Sequence, residues 1–157
     1  MRRTLILIAA AALLTFGIAT YVLVGNNKAS SIDTACPQSA PRSLVLDGNI
    51  HVCVLVADTT ELRRRGLGGR EGLAQNEGML FVFSSTAKHG FWMKDMRFSI
   101  DILWLSSEGS IVDAEESISP DTYPNVYVPV APALYALELP AGFMKEHGLQ
   151  VGDIVHL

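Results

Sequence analysis

The sequence predicts a mainly β fold, either an antiparallel β-sandwich or a partly closed barrel with two short helices, preceded by an N-terminal transmembrane or signal helix. Three observations support this class. Short apolar segments are separated by Gly, Pro, Asn and Asp, as in all-β domains. Asp47-Gly48 between two apolar segments predicts a hairpin. The prolines of residues 119–132 favour a loop or an edge strand.

The N-terminal segment, residues 1–27, has the length and polarity of a membrane span. Leu5 to Val24 is almost entirely apolar, and about 20 such residues span a bilayer as a helix. Arg2 and Arg3 would hold the N-terminus in the cytoplasm. The alternatives are an uncleaved anchor and a signal peptide cut near Ala19. The anchor is favoured because the apolar stretch continues beyond that site.

Either alternative predicts a domain outside the cytoplasm, periplasmic or extracellular. With the anchor retained, the protein is a single-pass protein of the cell membrane, and the cytoplasmic membrane is its first expected partner. Residues 28–42 have little periodicity, which indicates a linker. The β domain then occupies residues 43–157.

Within the domain, the elements follow from local patterns. Alternating apolar residues from Ile50 to Val56 predict the second hairpin strand. A short helix follows, capped by Asp58, Thr59 or Thr60 and ended by Gly66. A second helix of one or two turns is expected over residues 141–147. The remaining predicted strands are 79–83, 89–94, 99–106, 111–117, 134–140 and 151–157.

Two cysteines, Cys36 and Cys53, are too few for a zinc site and are not spaced as a redox pair. In an oxidising compartment they are candidates for a disulfide, which would stabilise the fold by about 3 kcal/mol. The alternative is two separate thiols, with Cys53 a buried small hydrophobic residue.

The charge balance argues against nucleic acid as a partner. The chain carries 12 Lys and Arg against 16 Asp and Glu, whereas phosphate contacts need a basic face. The one basic cluster, residues 63–65, is short, and it fits the last turn of a helix, where cations suit the helix dipole. No motif or ligand spacing for a metal or a cofactor occurs in the sequence, so none is expected.

The stretch "FWMKDMRFSIDILWL", residues 91–105, places two charges in an apolar setting. A four-residue hairpin loop would put Trp92 opposite Asp101 and bring Lys94 diagonally next to that carboxylate. The opposite, apolar face of the hairpin would then consist of Phe91, Met93, Ile100, Ile102 and Trp104. Glu138 in "LYALELP" either faces solvent or has a partner, because burying an unpaired carboxylate is costly, and Arg63, Arg70 and Lys94 are the candidate partners.

The chain resembles the domain of unknown function 192 family, from about Asp58 to Leu157. The resemblance is carried by "RRRGLGGR", "GMLFVF", "FWMKDMRFSIDILWL", "GSIVDAEE", "YALELPAG" and "LQVGDIV" in this order. It implies a mainly β, sandwich-like domain and no established activity. The chain departs from the family pattern at Gly68, at residues 95–96 and at Ser99. Positions that fit the family's polar and aromatic pattern are Arg63, Arg70, Trp92, Lys94, Asp101, Glu138 and Asp153.

Three functional hypotheses follow for these side chains. The first is a non-catalytic site for a small ligand or an envelope component, with Trp92 as an apolar platform. The second is a small hydrolase of envelope glycan or peptide, with Asp101 and Glu138 as the acid and base. The third is a structural or interaction module held by ion pairs. No catalytic residue is assigned, and the candidate ligand-binding residues are Arg63, Arg70, Trp92, Lys94, Asp101 and Glu138.

Overall fold

Nine strands and two short α-helices make up the part of the chain that the structure, a computed structural model, describes: residues 36–157. The predicted membrane segment and the linker as far as residue 35 lie outside the described residues. The elements are β1 (Arg42–Leu46), β2 (Ile50–Ala57), α1 (Thr60–Arg65), β3 (Glu77–Ala87), β4 (Phe91–Trp92), β5 (Ile100–Leu105), β6 (Ile111–Ile118), a 3-10 turn (Pro120–Thr122), β7 (Val126–Tyr127), β8 (Ala133–Pro140), α2 (Phe143–His147) and β9 (Val155–His156).

Seven of the strands form one curled sheet in the order β6-β5-β8-β3-β2-β1-β9, and β4 pairs with β7 in a small second sheet. The two edges of the large sheet meet at one end. Ser110 bridges to Ile154 there, and the Ile111 amide donates to the Asp153 carbonyl. The mainly β class with two short helices is therefore confirmed, and its form is a half-barrel rather than two stacked sheets.

One strand pair corrects the prediction of a purely antiparallel sheet. β2 and β3 run parallel, with Val54 beside Gly78. Parallel neighbours need a crossover connection, and α1 with the loop after it supplies that crossover. Gly78 is required at this point, because a Cβ atom there would lie 2.7 Å from the Glu138 carbonyl oxygen.

The local predictions for the first third of the domain are confirmed. β1 and β2 pair as the predicted hairpin, and its turn uses positive φ at Asp47 and Gly48, which these residue types tolerate. Helix α1 begins after Thr59, whose hydroxyl accepts a hydrogen bond from the Leu62 amide, and it ends at Gly66.

The large sheet is buried on both faces. Its inner face packs against α2 through residues that include Leu44, Val54, Leu103, Leu105, Leu137, Leu139, Phe143 and Met144. Its outer face is covered by the loop after α1 and by β4, through residues that include Leu67, Met79, Phe81, Phe91, Met93, Ile102, Trp104 and Ala136. Burial on both sides explains why all six residues of β5 are buried and why five of them, all except Asp101, are apolar without alternation.

The predicted hairpin between residues 91–94 and 99–105 is wrong. β4 pairs with β7, with Phe91 beside Tyr127, whereas β5 lies between β6 and β8. Trp92 therefore has Val126 and not Asp101 as its cross-strand partner. The prediction of a shared apolar cluster nevertheless agrees with the structure, because Phe91, Met93, Ile100, Ile102 and Trp104 all lie in the core of the outer face.

Cys36 and Cys53 are joined by a disulfide, with their Cα atoms 5.4 Å apart. The bond ties the segment before β1 to the middle of β2. None of the helices in residues 36–157 is long and apolar enough to cross a membrane.

Candidate functional site

A cavity of about 270 Å³ opens on the outer face of the sheet, between α1, β3, β4 and the turn after β4. Aromatic and aliphatic side chains form its walls, basic side chains stand along its lining, and one carboxyl belongs to it. The lining residues are Arg63, Arg64, Arg65, Gly66, Leu67, Gly68, Phe81, Phe83, Gly90, Phe91, Trp92, Lys94, Met96 and Glu138. We call this the Glu138 cavity.

Glu138 is the most unusual residue of this cavity. Its side chain is 5% exposed, and its Oε2 atom is buried without a hydrogen-bond partner. Burial raises the pKa of Glu138 to about 8, because a low-dielectric environment disfavours the charged carboxylate. A buried polar atom without a partner is uncommon and calls for an explanation.

The position of Glu138 follows from the register of β8. The residue lies in the middle of the sheet, beside Met79 of β3 and Ile102 of β5. Its sequence neighbours Leu137 and Leu139 belong to the inner face. Because successive side chains of a strand point to opposite faces, Glu138 is directed to the outer face, under the cavity.

Arg63 fastens α1 to the sheet at the edge of the cavity. Its Nη1 donates to the carbonyl oxygens of Asp58, at 2.6 Å, and of Val82, at 2.8 Å. Its guanidinium also lies over the Phe83 ring, 5.6 Å from the centroid. Arg63 is thus committed to positioning the helix, whereas Arg64 and Arg65 are exposed.

Trp92 and Lys94 stand together at the mouth of the cavity. The Trp92 side chain is 51% exposed, and the Lys94 ammonium lies 6.0 Å from the indole centroid, within the range of a cation–π contact. The Tyr123 ring packs edge-on against the indole at a centroid distance of 6.2 Å. This pairing fixes one apolar wall at the entrance.

A second depression of about 610 Å³ continues from the mouth along α1. It shares four charged or aromatic residues with the Glu138 cavity: Arg64, Arg65, Trp92 and Lys94. Glu61 and Asp95 border it as well. We call this depression the outer groove.

Asp101 does not belong to the cavity. It is fully buried and sits on the inner face, where its Oδ1 accepts hydrogen bonds from the amides of Ser117, at 2.7 Å, and Gly142, at 3.0 Å. Its Oδ2 accepts from the Met144 amide at 2.9 Å. The carboxylate therefore holds the start of α2 against β6, and the expected meeting of Lys94 and Asp101 is wrong.

The predicted ion pairs with Glu138 are also missing from the described residues. Across residues 36–157, the one ion pair joins Arg97 to Glu71. Arg70 is half-buried and lies outside the lining of the Glu138 cavity. The structure thus brings together Arg63, Trp92, Lys94 and Glu138 from the predicted set and separates Arg70 and Asp101 from them.

Several lining residues are missed by reasoning from sequence. The sequence pattern assigns Arg64 and Arg65, with Arg63, to the last turn of a helix, and α1 does end at Arg65. That interpretation accounts for their place in the helix and not for the cavity they face. Phe81, Phe83 and Phe91 look like ordinary core residues in sequence. The glycines of "RRRGLGGR" indicate only a loop in the sequence.

Metal chemistry receives no support from the described part of the chain, because no group of three or more His, Cys, Asp or Glu residues is arranged to hold an ion. Within residues 36–157, Glu138 is also the only carboxylate lining its cavity. A pair of carboxylates across an open cavity, as glycoside hydrolysis requires, is therefore not formed by Asp101 and Glu138.

Together, the half-barrel and the cavity on its outer face define a small β domain with a candidate ligand site. The chain belongs to the domain of unknown function 192 family, whose model, described as "Uncharacterized ACR", matches residues 42–157. This confirms the resemblance seen in the sequence. No curated protein matches the chain.

Two of the solved structures that are similar to this one match it over most of its length. A candidate transcription regulator from Sinorhizobium meliloti 1021 has 30% sequence identity and a TM-score of 0.68, over 73% of this chain and 89% of that chain. A protein of unknown function from Novosphingobium aromaticivorans DSM 12444 has a TM-score of 0.72 and 21% identity, over 78% of this chain and 91% of that one. The second similarity shows the fold alone.

Proposed function

We propose that this protein is an exported, membrane-tethered domain that binds a small ligand in the Glu138 cavity without chemical conversion. The observation that carries the proposal is the Oε2 atom of Glu138, which is buried at a cavity and has no hydrogen-bond partner. A site of this kind costs stability in the free protein, because an unpaired buried polar group loses its hydration. A ligand with a matching polar group would remove that cost on binding.

The composition of the cavity supports ligand binding as well. Small-molecule sites are mostly apolar with a few polar groups that fix orientation. Here Phe81, Phe83 and Phe91 supply apolar surface, Trp92 forms a platform at the entrance, and Glu138 is the polar group inside. The volume of about 270 Å³ suits a molecule of the size of a monosaccharide or an amino acid.

Export and tethering are supported by the sequence and by the disulfide. The apolar segment that follows Arg2 and Arg3 has the length of a membrane span. A disulfide between Cys36 and Cys53 is the kind of bond that persists outside the reducing cytoplasm. The ligand of such a domain would be a component of the cell envelope or a solute on its outer side.

The charge of this chain argues against transcriptional regulation, the role named for the Sinorhizobium meliloti protein. The formal net charge is −4 at pH 7, and DNA binding needs an extended basic surface to neutralise phosphates. The three consecutive arginines form a short patch next to an apolar cavity, which suits a small molecule better than a duplex.

The test of binding is a thermal-shift titration of the full-length protein in detergent with small envelope compounds. Suitable probes are N-acetylglucosamine, D-alanyl-D-alanine and a muramyl dipeptide. A binder should raise the melting temperature of the wild type and of the control Glu116→Gln, whose side chain is exposed. It should have no such effect on Glu138→Met, which removes both polar atoms, whereas Glu138→Gln, which keeps a donor and an acceptor, should retain most of the shift. A shift that is unchanged in Glu138→Met would place the ligand elsewhere and refute the proposed site.

The test of tethering is fractionation of cells that produce the full-length chain. The protein should remain in the membrane pellet after carbonate extraction, and added protease should degrade the domain once any outer barrier is permeabilised. Recovery of the protein in the soluble cytoplasmic fraction would contradict the proposed location and leave the binding proposal standing.

A further inference from the structure

We propose that the ligand of the Glu138 cavity is an anion with an aromatic or similarly flat apolar body, and that Arg64, Arg65 and Lys94 hold its carboxylate or phosphate at the mouth. This ligand class rests on the proposed function, because it concerns the same site. It adds two features to that function: the sign of the ligand's charge and the residues that select it.

Charge is distributed unevenly around the cavity. Arg63, Arg64, Arg65 and Lys94 are all basic, and Glu138 is the only acidic residue lining the cavity within residues 36–157. A cleft lined by charges of one sign attracts ligands of the opposite sign and raises their local concentration. In a chain with an excess of acidic residues, this local excess of cations is a property of the site and not of the surface as a whole.

Three of these cations have no acidic partner within the described residues. The only ion pair in that part of the chain joins Arg97 to Glu71, so Arg64, Arg65 and Lys94 are left without one. Glu61 and Asp95 border the outer groove with them, yet neither forms an ion pair there. An anionic ligand would supply the ionic partner that these three cations lack within the described residues.

The backbone segments that carry the basic side chains are held in place by hydrogen bonds. Arg63 holds the end of α1 on β3 through the carbonyl of Val82, so the two following arginines extend from an anchored helix end. The loop opposite is fixed too, because the Gly69 amide donates to the Asp95 carbonyl at 2.9 Å. Arginine binds carboxylate and phosphate through two parallel hydrogen bonds. A backbone segment that is already held in place loses less conformational entropy when the ligand binds.

Glu138 does not oppose an anion at neutral pH. Burial raises the pKa of Glu138 to about 8, so the inner end of the cavity is uncharged at pH 7 and can donate a hydrogen bond. A cationic ligand would instead have to pass the arginines and the lysine at the entrance. The apolar body of the ligand would lie against Trp92, whose indole packs against the Tyr123 ring, and against Phe91.

Isothermal titration of the full-length protein in detergent with four compounds of the same ring tests the inference. The probes are benzoate, phenyl phosphate, benzyl alcohol and benzylamine. Benzoate or phenyl phosphate should bind at least about tenfold more tightly than benzyl alcohol, and benzylamine should bind most weakly. The two anions distinguish a carboxylate ligand from a phosphate ligand, and raising the salt concentration should weaken both.

Variants assign the effect to the mouth of the cavity. Arg64→Gln/Arg65→Gln and, separately, Lys94→Met should lose most of the preference for anions, whereas benzyl alcohol should bind them as it binds the wild type. The control Arg42→Gln/Lys145→Gln removes two exposed cations elsewhere and should keep the preference. Melting temperatures check that each variant is folded.

The outcomes separate this inference from the proposed function. Equal binding of all four probes, lost in Glu138→Met, would overturn the anion preference and leave the ligand site intact. An anion preference that persists in both mouth variants would overturn the assignment to Arg64, Arg65 and Lys94. Failure of all four probes to bind, together with a thermal shift by an envelope compound that is lost in Glu138→Met, would overturn this inference and leave the proposed function standing.

Discussion

Asp101 and Glu138 are the two buried acidic residues of the described chain, and they have opposite roles. Asp101 accepts three backbone hydrogen bonds, so its burial is compensated within the fold. Glu138 has an oxygen with no partner, so its burial is not compensated. The two residues lie on adjacent strands, with Asp101 beside Leu139, and their side chains face opposite sides of one sheet.

Glu138 should make the stability of the protein depend on pH. Between its ordinary pKa of 4.5 and its raised pKa of about 8, the folded protein keeps a proton that the unfolded chain has released. This contribution to stability is fully present below pH 4.5 and is lost as the pH rises through 8. The free energy of unfolding should therefore fall with rising pH by up to about 1.4 kcal/mol per pH unit in that window.

Urea unfolding at several pH values measures this dependence. Glu138→Gln cannot ionise, so its stability relative to the wild type should increase steadily from pH 4.5 to 8. The exposed control Glu116→Gln should follow the wild type throughout. Parallel profiles for the wild type and Glu138→Gln would show that Glu138 is not a buried, neutral acid.

Asp101→Asn should destabilise the fold without changing the cavity. The amide can replace one carboxylate oxygen as an acceptor, but its NH₂ group then faces a backbone N–H, either at Met144 or at Ser117 and Gly142. One unsatisfied buried group costs about 1–3 kcal/mol, so the free energy of unfolding should drop by about that amount. Urea unfolding measures the loss, and Asp121→Asn, an exposed aspartate, is the matched control. An unchanged stability would mean that Asp101 does not fasten α2.

At the scale of elements, the closure of the half-barrel depends on Gly109. Its φ is +85°, and a Cβ atom there would collide with the Val155 carbonyl oxygen, while its own carbonyl accepts from the Val155 amide. Gly109→Ala should therefore cost about 1–3 kcal/mol for the backbone conformation and more for the displaced β9.

Gly48→Ala is the control for that prediction, since Gly48 has a φ of +75° and a Cβ atom added there would meet nothing within 4 Å. It should lose stability through the backbone conformation alone. Hydrogen exchange should show faster opening of the amides of Ile111 and Val155 in Gly109→Ala only. Equal effects of the two substitutions would mean that the contact between the turn before β6 and β9 adds little.

The sequence predicts an element correctly when residues close together in the chain determine that element. The β1–β2 hairpin, α1 and its cap follow from neighbouring residues, and the structure confirms them. The pairing of β4 with β7 joins residues more than thirty positions apart and is only two residues long on each strand. The apolar residues of β4 and β5 are equally compatible with a hairpin between these two strands. Tertiary packing decides which strands pair, and no local sequence pattern indicates the outcome.

The sequence predicts the candidate site only in part for the same reason. Glu138 stands out because it is a single charge in an apolar strand, and the structure does bury it. Asp101 stands out in the same way, yet its partners are backbone amides from α2 and β6, which no side-chain pattern indicates. The parallel pairing of β2 with β3 then brings α1 and its arginines over β8, an arrangement that belongs to topology and not to sequence spacing.

At the scale of the whole molecule, the disulfide connects the start of the described chain to its central sheet. Cys36 precedes β1, and Cys53 is buried in β2, so the bond attaches the described residues before β1 to the sheet. The two cysteines are 17 positions apart in the sequence. A disulfide across this distance should stabilise the fold by about 3 kcal/mol, mainly by restricting the unfolded chain.

The double variant Cys36→Ala/Cys53→Ala should lose about that free energy in urea unfolding, and reduction of the wild type should reproduce the loss. Both forms should keep the sheet, because the two hydrophobic cores on its faces do not depend on the bond. If the chain is exported, its two cysteines should not react with maleimide in cells until a reductant is added. A mass shift of the protein reports the labelling. Free thiols in the untreated protein would contradict both the bond and the oxidising compartment that it implies.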